Sequence, residues 1–144
     1  KPMKNMPMKD HFQYTDEELE ELFHSKKLKP AYFSHEAHLR LAYIHIEQYG
    51  EEQAIANITH QIRAYAESLG AHDKYNHTVT IAAIKAVSHF MNKSDAATFR
   101  ELITQFPRLT KNFKELLFAH YSQDIFNLES ARKEFLEPDL LPFD

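Results

Sequence analysis

The sequence predicts an all-α fold: a single-domain helical bundle of about five to seven helices, with an extended C-terminal segment packing back on it. Apolar residues recur at three- and four-residue spacing along most of the chain, the period of a helix buried on one face. Glycine occurs twice in 144 residues, at Gly50 and Gly70, and each stands where an apolar helical pattern stops, as a C-terminal cap does. So little glycine also disfavours tight hairpin turns and phosphate-cradling loops.

Residues 1–14 hold three methionines and two prolines without clear periodicity and are expected to form a flexible arm, leaving 15–144 as the helical domain. Thr15-Asp16-Glu17-Glu18 has the form of a capping box. The helix it opens carries Leu19, Leu22 and Phe23 on one face and should end near Ser25. Pro30 closes the basic loop Lys26-Lys27-Leu28-Lys29, and Ser34 is placed to cap a second helix from His35 to Tyr49. A third helix, Glu51 to Leu69, is amphipathic at Ile55, Ile58, Ile62 and Tyr65. The fourth, Asn76 to Met91, is apolar around most of its circumference and should be central.

Ser94-Asp95 is expected to cap a fifth helix that Pro107 stops. Leu109 to Tyr121 should be helical with breaks, and Leu128 to Phe135 forms a last helix. Pro138 and Pro142 exclude a regular helix beyond that point. The leucines and Phe143 there suggest an extended segment held on the bundle.

The totals narrow the function classes. A mass of 16.9 kDa suits one domain, and 43% hydrophobic with 26% charged residues is ordinary for a globular protein. No apolar run approaches bilayer length and no signal-peptide pattern is present. The chain starts at Lys1 rather than Met, as if a few residues had been trimmed. The absence of cysteine excludes disulfides, thiolate metal sites and cysteine nucleophiles. A cytoplasmic location with no membrane partner is the expectation. A net charge of −4 argues against nucleic acid as a partner.

Ten histidines are many for this length, and Phe33-Ser34-His35-Glu36-Ala37-His38-Leu39-Arg40 concentrates the interest. His35 and His38, three apart, share a helical face. They are the candidate ligands of one divalent transition metal (Fe, Zn, Ni or Cu), or a catalytic general base if no metal is held. Candidate third ligands are His77, His89, His120, Glu36 and Asp139. The motif is one residue short of H-E-x-x-H, which excludes the zinc-protease pattern. His45 lies two turns beyond His38, about 10 Å, too far to share an ion. The plainer alternative makes His35 a first-turn residue and His38 a buried hydrogen-bonding group. His11, His24, His60 and His72 are expected to be solvated.

Tyr75-Asn76-His77-Thr78-Val79-Thr80 opens the fourth helix. Free amides there favour ligand acceptor groups, although simple capping by Asn76 accounts for the same residues. Arg40 and Arg132 are the candidate buried cations, each able to pair with Asp139 or clamp a substrate carboxylate. No nucleophile elbow is present.

These motifs resemble a group of small bacterial all-helical proteins of unassigned function. They share an F-x-H-x-x-H-L-R-x-A helix, a Y-[HN]-x-T-x-T turn, then Y-S and an A-R…P-D segment. Here these read Phe33 to Ala42, Tyr75 to Thr80, Tyr121-Ser122, Ala131-Arg132 and Pro138-Asp139. The resemblance runs from Thr15 onward and implies that His35, His38, Asn76, Thr78, Arg132 and Asp139 belong together. Asn76 stands where relatives carry histidine, which weakens any metal set that needs an imidazole there.

The expectation is a small enzyme acting on a small polar molecule in a buried histidine-lined cavity. His35 and His38 would be catalytic or metal-bound, and Arg40, Tyr75, Asn76, Thr78, Arg132 and Asp139 would bind substrate. The alternative is a non-catalytic module for a small ligand or a protein partner. A homodimer through the amphipathic helix ending at Leu69 fits either.

Overall fold

The computed structural model describes residues 10–143. Among them are eight α-helices and no strand. α1 spans Asp16–His24, α2 His35–Tyr49, α3 Glu51–Ser68 and α4 His77–Met91. The shorter α5 (Phe99–Gln105), α6 (Arg108–Lys111), α7 (Phe113–Phe118) and α8 (Glu129–Lys133) follow. No helix among the described residues is long and apolar enough to cross a membrane.

Local chemistry sets the long helices. The Glu18 amide donates to Thr15 Oγ1 at 3.1 Å and the Thr15 amide to Glu18 Oε1 at 2.9 Å, a complete capping box. Ser34 and Asn76 accept the amides of Ala37 and Val79 at 3.2 and 2.9 Å, capping α2 and α4. Gly50, at φ +87°, ends α2 and begins α3. After α3, Gly70 N–H donates to Glu67 and Ala71 N–H to Ala66, the paired bonds of a Schellman ending, with Gly70 at φ +68°.

α5 starts later than expected. Ser94 instead caps a short turn by accepting the Ala96 amide at 2.9 Å. The helix cap is Thr98, which accepts the Glu101 amide at 3.1 Å while Glu101 Oε1 takes the Ala97 amide at 2.9 Å. Thr98 and Glu101 therefore form the stronger start signal, because they satisfy two free amides together.

Cross-helix contacts show the layout. His45 of α2 meets Asn57 of α3, residues on either side of Gly50 at similar separation, so α2 and α3 form an antiparallel pair, and Arg63 of α3 meets His77 at the start of α4. α2 buries every residue from Leu39 to His45 and α4 buries all but Lys85 between Thr80 and Ser88, so these two helices are the centre of the bundle. Around them Phe23, Phe33 and Tyr65 pack ring against ring.

Two terminal segments depart from expectation. Residues 1–9 of the expected arm lie outside the described residues, but His11–Gln13 form a 3₁₀ turn and His11 is only 1% exposed. At the other end the chain does return to the bundle: Leu140 N–H donates to the His120 carbonyl at 3.0 Å and Phe143 stacks on His120. Leu140 and Leu141 nevertheless remain 53% and 55% exposed, so backbone bonds and Phe143, not those leucines, hold the segment.

Candidate ligand-binding site

The histidine pair at the start of α2 is less enclosed than its apolar helix suggests. His35 is exposed, its ring packs at 4.5 Å from Phe113, and its Nε2 donates to the Leu109 carbonyl at 2.9 Å. That bond leaves Nδ1 as the lone-pair nitrogen of the neutral ring. His38 is partly exposed as a residue, but its Nε2 is shut off from solvent without a hydrogen-bond partner. Burial pulls the His38 pKa down to about 4, and nearby His35 adds to the depression.

Three of the expected third ligands are engaged elsewhere. Glu36 binds His11 at 2.8 Å, His120 binds the Leu141 carbonyl at 2.8 Å and Asp139 binds Ser122. Among the described residues no three histidine or carboxylate side chains come together in a way that could hold a metal ion.

Arg40 is buried, 6% exposed, but pairs with neither Asp139 nor a free site. Its Nε and Nη2 donate to Asp16, Nη2 also to the Tyr14 carbonyl, and Nη1 to the carbonyl and Nδ1 of His11. These account for all five guanidinium protons, so Arg40 holds the N-terminal turn on α2. His11 is correspondingly not solvated. It accepts from Arg40 on Nδ1 and donates to Glu36 from Nε2, and burial lowers its pKa despite Glu36.

Asn76 and Thr78 are likewise engaged. Asn76 caps α4 with its oxygen and donates its amide to Ile125 O at 2.8 Å. Thr78, fully buried, donates to Glu134 O at 2.7 Å and accepts the Leu136 amide at 3.1 Å. Asp139 accepts both the amide and the hydroxyl of Ser122. Thr78 and Asp139 thus hold the C-terminal segment to the bundle, Asn76 holds the loop before α8, and Asp139 is paired with Ser122 and not with Arg132.

Tyr75 and Arg132 do share a cleft. They line a cleft of about 430 Å³ with Arg63, Glu67, His72 and Lys133. Arg132 donates to the Asp73 carbonyl and to Glu129, which Lys133 also contacts. The Tyr75 hydroxyl donates to His77 Nδ1 at 2.6 Å, and Arg63 Nη2 donates to the same nitrogen at 3.1 Å. Two donors on Nδ1 place the His77 proton on Nε2. Burial and the Arg63 charge together lower the His77 pKa, and burial raises that of Tyr75, so at neutral pH the pair is a neutral imidazole and a protonated phenol.

Arg63 lies over the Tyr75 ring at 4.9 Å, and among the described residues no carboxylate pairs with it. The sequence carried little sign of its role. Arg63 occupies the polar face of α3, where a cation reads as solvated.

No protein-family model matches this sequence, and neither a curated protein nor a solved structure matches it.

Proposed function

We propose that the protein binds a small anionic molecule, a carboxylate or phosphate ester, in the cleft between α3 and α8. The observation that carries this is the Arg63 guanidinium, which touches His77 but has no carboxylate partner among the described residues and lines the same cleft as Arg132 and Tyr75. A guanidinium with no carboxylate partner is suited to bidentate recognition of an anion. Arg132 and Lys133 add positive charge, and the Tyr75 ring supplies an apolar wall. Glu67 and Asp73, also in the lining, would disfavour ligands with further negative charge on that side.

Calorimetric titration at low salt with succinate and with inorganic phosphate tests the proposal. Saturable binding that Arg63→Gln weakens by about tenfold or more, with helicity unchanged, is the expected result. Absence of binding up to about 10 mM, or binding indifferent to Arg63→Gln, overturns it.

A second reading places chemistry at His35 and His38, as general base or as part of a metal site. The enclosed, partnerless Nε2 of His38 beside His35 favours it, because a neutral imidazole can accept a proton or a metal. The metal form needs a third ligand to move in. Metal analysis of untagged protein after addition of Fe, Zn, Ni or Cu decides that form. A stoichiometric ion lost in His38→Gln supports it, and no retained ion removes it.

A further inference from the structure

A second polar pocket, of about 350 Å³, lies between α1, α2 and α3, with Glu20, His24, His45, Tyr49, Asn57 and Gln61 in its wall. His45 is 1% exposed and sits on the central helix. Its protonation is set from behind: Gln53 donates to Asn57 Oδ1 at 2.8 Å, so the Asn57 amide nitrogen donates to His45 Nδ1 at 3.3 Å. The ring proton is therefore on Nε2.

That Nε2 is buried and has no hydrogen-bond partner. Glu20 Oε2 stands 3.9 Å away, beyond hydrogen-bond reach, and it already accepts the Tyr49 hydroxyl at 2.9 Å. Gln61 Oε1, in the same wall, is a second buried polar atom without a partner. Two buried polar atoms without partners, on residues that line one cavity, are costly unless a ligand that enters it reaches them.

The pocket's charge is opposite to that of the cleft at Arg63. Glu17 and Glu21 join Glu20 in the lining, and no lysine or arginine lies among the lining residues. We infer that this pocket binds a small amine bearing a neighbouring hydroxyl or carbonyl oxygen, the amino-alcohol class. The ammonium donates to Glu20 and Gln61 Oε1, and the adjacent oxygen accepts the proton of His45 Nε2. Burial holds the His45 pKa down, which keeps the ring a neutral donor rather than a competing cation. An amine fits better than a metal ion, because the carboxylates and imidazoles here do not converge as a ligand set.

The test uses the full chain, with ethanolamine as probe and ethylamine as the analogue lacking the oxygen, followed by long-range nitrogen–proton NMR of the histidine rings. Ethanolamine is expected to bind saturably, move the His45 Nε2 signal and leave His35 unmoved. Ethylamine should bind about tenfold more weakly. Gln61→Leu and Glu20→Gln, each with an unchanged circular-dichroism melt, should weaken ethanolamine by about tenfold, whereas Arg63→Gln should have no effect. No binding of ethanolamine by about 10 mM, equal binding of the two amines, or binding indifferent to Gln61→Leu overturns the inference. So does stoichiometric zinc uptake on His24 and His45 without amine binding.

Discussion

The hydroxyl of Thr78 donates to the carbonyl of Glu134 at 2.7 Å, joining positions 56 residues apart at the foot of the central helix. The same oxygen accepts the Leu136 amide. One buried hydroxyl therefore satisfies two backbone groups of a segment that has no secondary structure of its own, which makes Thr78 a fastening point.

Thr78→Val keeps the shape but removes both bonds. It should cost about 2–4 kcal/mol, the sum for two backbone groups left unmet. Hydrogen exchange at the Leu136 amide should accelerate, while Thr78→Ser restores protection. Unchanged exchange at Leu136 in the valine variant would show that the segment is held elsewhere.

Arg40 and Asp16 should differ sharply as mutants. Arg40→Met strands the His11 and Tyr14 carbonyls and His11 Nδ1, and is expected to cost about 3–5 kcal/mol, typical of breaking one side of a buried polar network. Asp16 is half exposed, so Asp16→Asn should cost about 1 kcal/mol or less. Urea denaturation of the two variants checks the ratio.

Stability should fall in mild acid. The neutral His38 is favoured in the folded state, with a pKa near 4 against 6.5 for the free side chain. Its contribution is therefore complete above pH 6.5 and is lost as pH falls through that value toward 4, because the unfolded chain takes up the proton first. At about 1.4 kcal/mol per pKa unit the loss is of the order of 3 kcal/mol. Burial depresses His11, His45 and His77 in the same direction. Urea midpoints followed from about pH 7.5 to about pH 4.5 should decline, and His38→Leu should flatten the decline.

Lys26 closes α1 at φ +65° in a Schellman ending, with its own amide on Phe23 and that of Lys27 on Leu22. A residue with a Cβ is strained there, so Lys26→Gly should stabilise the protein by about 1 kcal/mol. Gly50 is the converse. Its φ of +87° and ψ of 165° belong to glycine, and Gly50→Ala should cost about 1–3 kcal/mol although open space surrounds the position. Thermal melts of both variants decide the signs.

Much of the fold was legible from Thr15, Ser34, Gly50, Gly70 and Asn76, because caps and glycine endings depend on bonds made within a few residues. The central place of α4 was equally plain from its apolar circumference. The site was not. Arg40, Asn76, Thr78 and Asp139 look like ligand contacts as isolated polar residues, yet each is engaged by backbone or side chains far away in sequence. His11 appeared to belong to a loose arm, and is buried because Arg40 and Glu36 reach it from α2.

The sequence by itself determined the four long helices, how they begin and end, and the inner place of α4, since those follow from short-range periodicity and local hydrogen bonding. Only the tertiary structure decided which polar groups are already satisfied and which are left buried without a partner. It joined Tyr75 and Arg132 to an unforeseen Arg63, and left His38, His45 and Gln61 with partnerless buried atoms. The physical reason is that a hydrogen-bonding group has one partner or another according to what packs beside it, and in this bundle that neighbour usually comes from another helix.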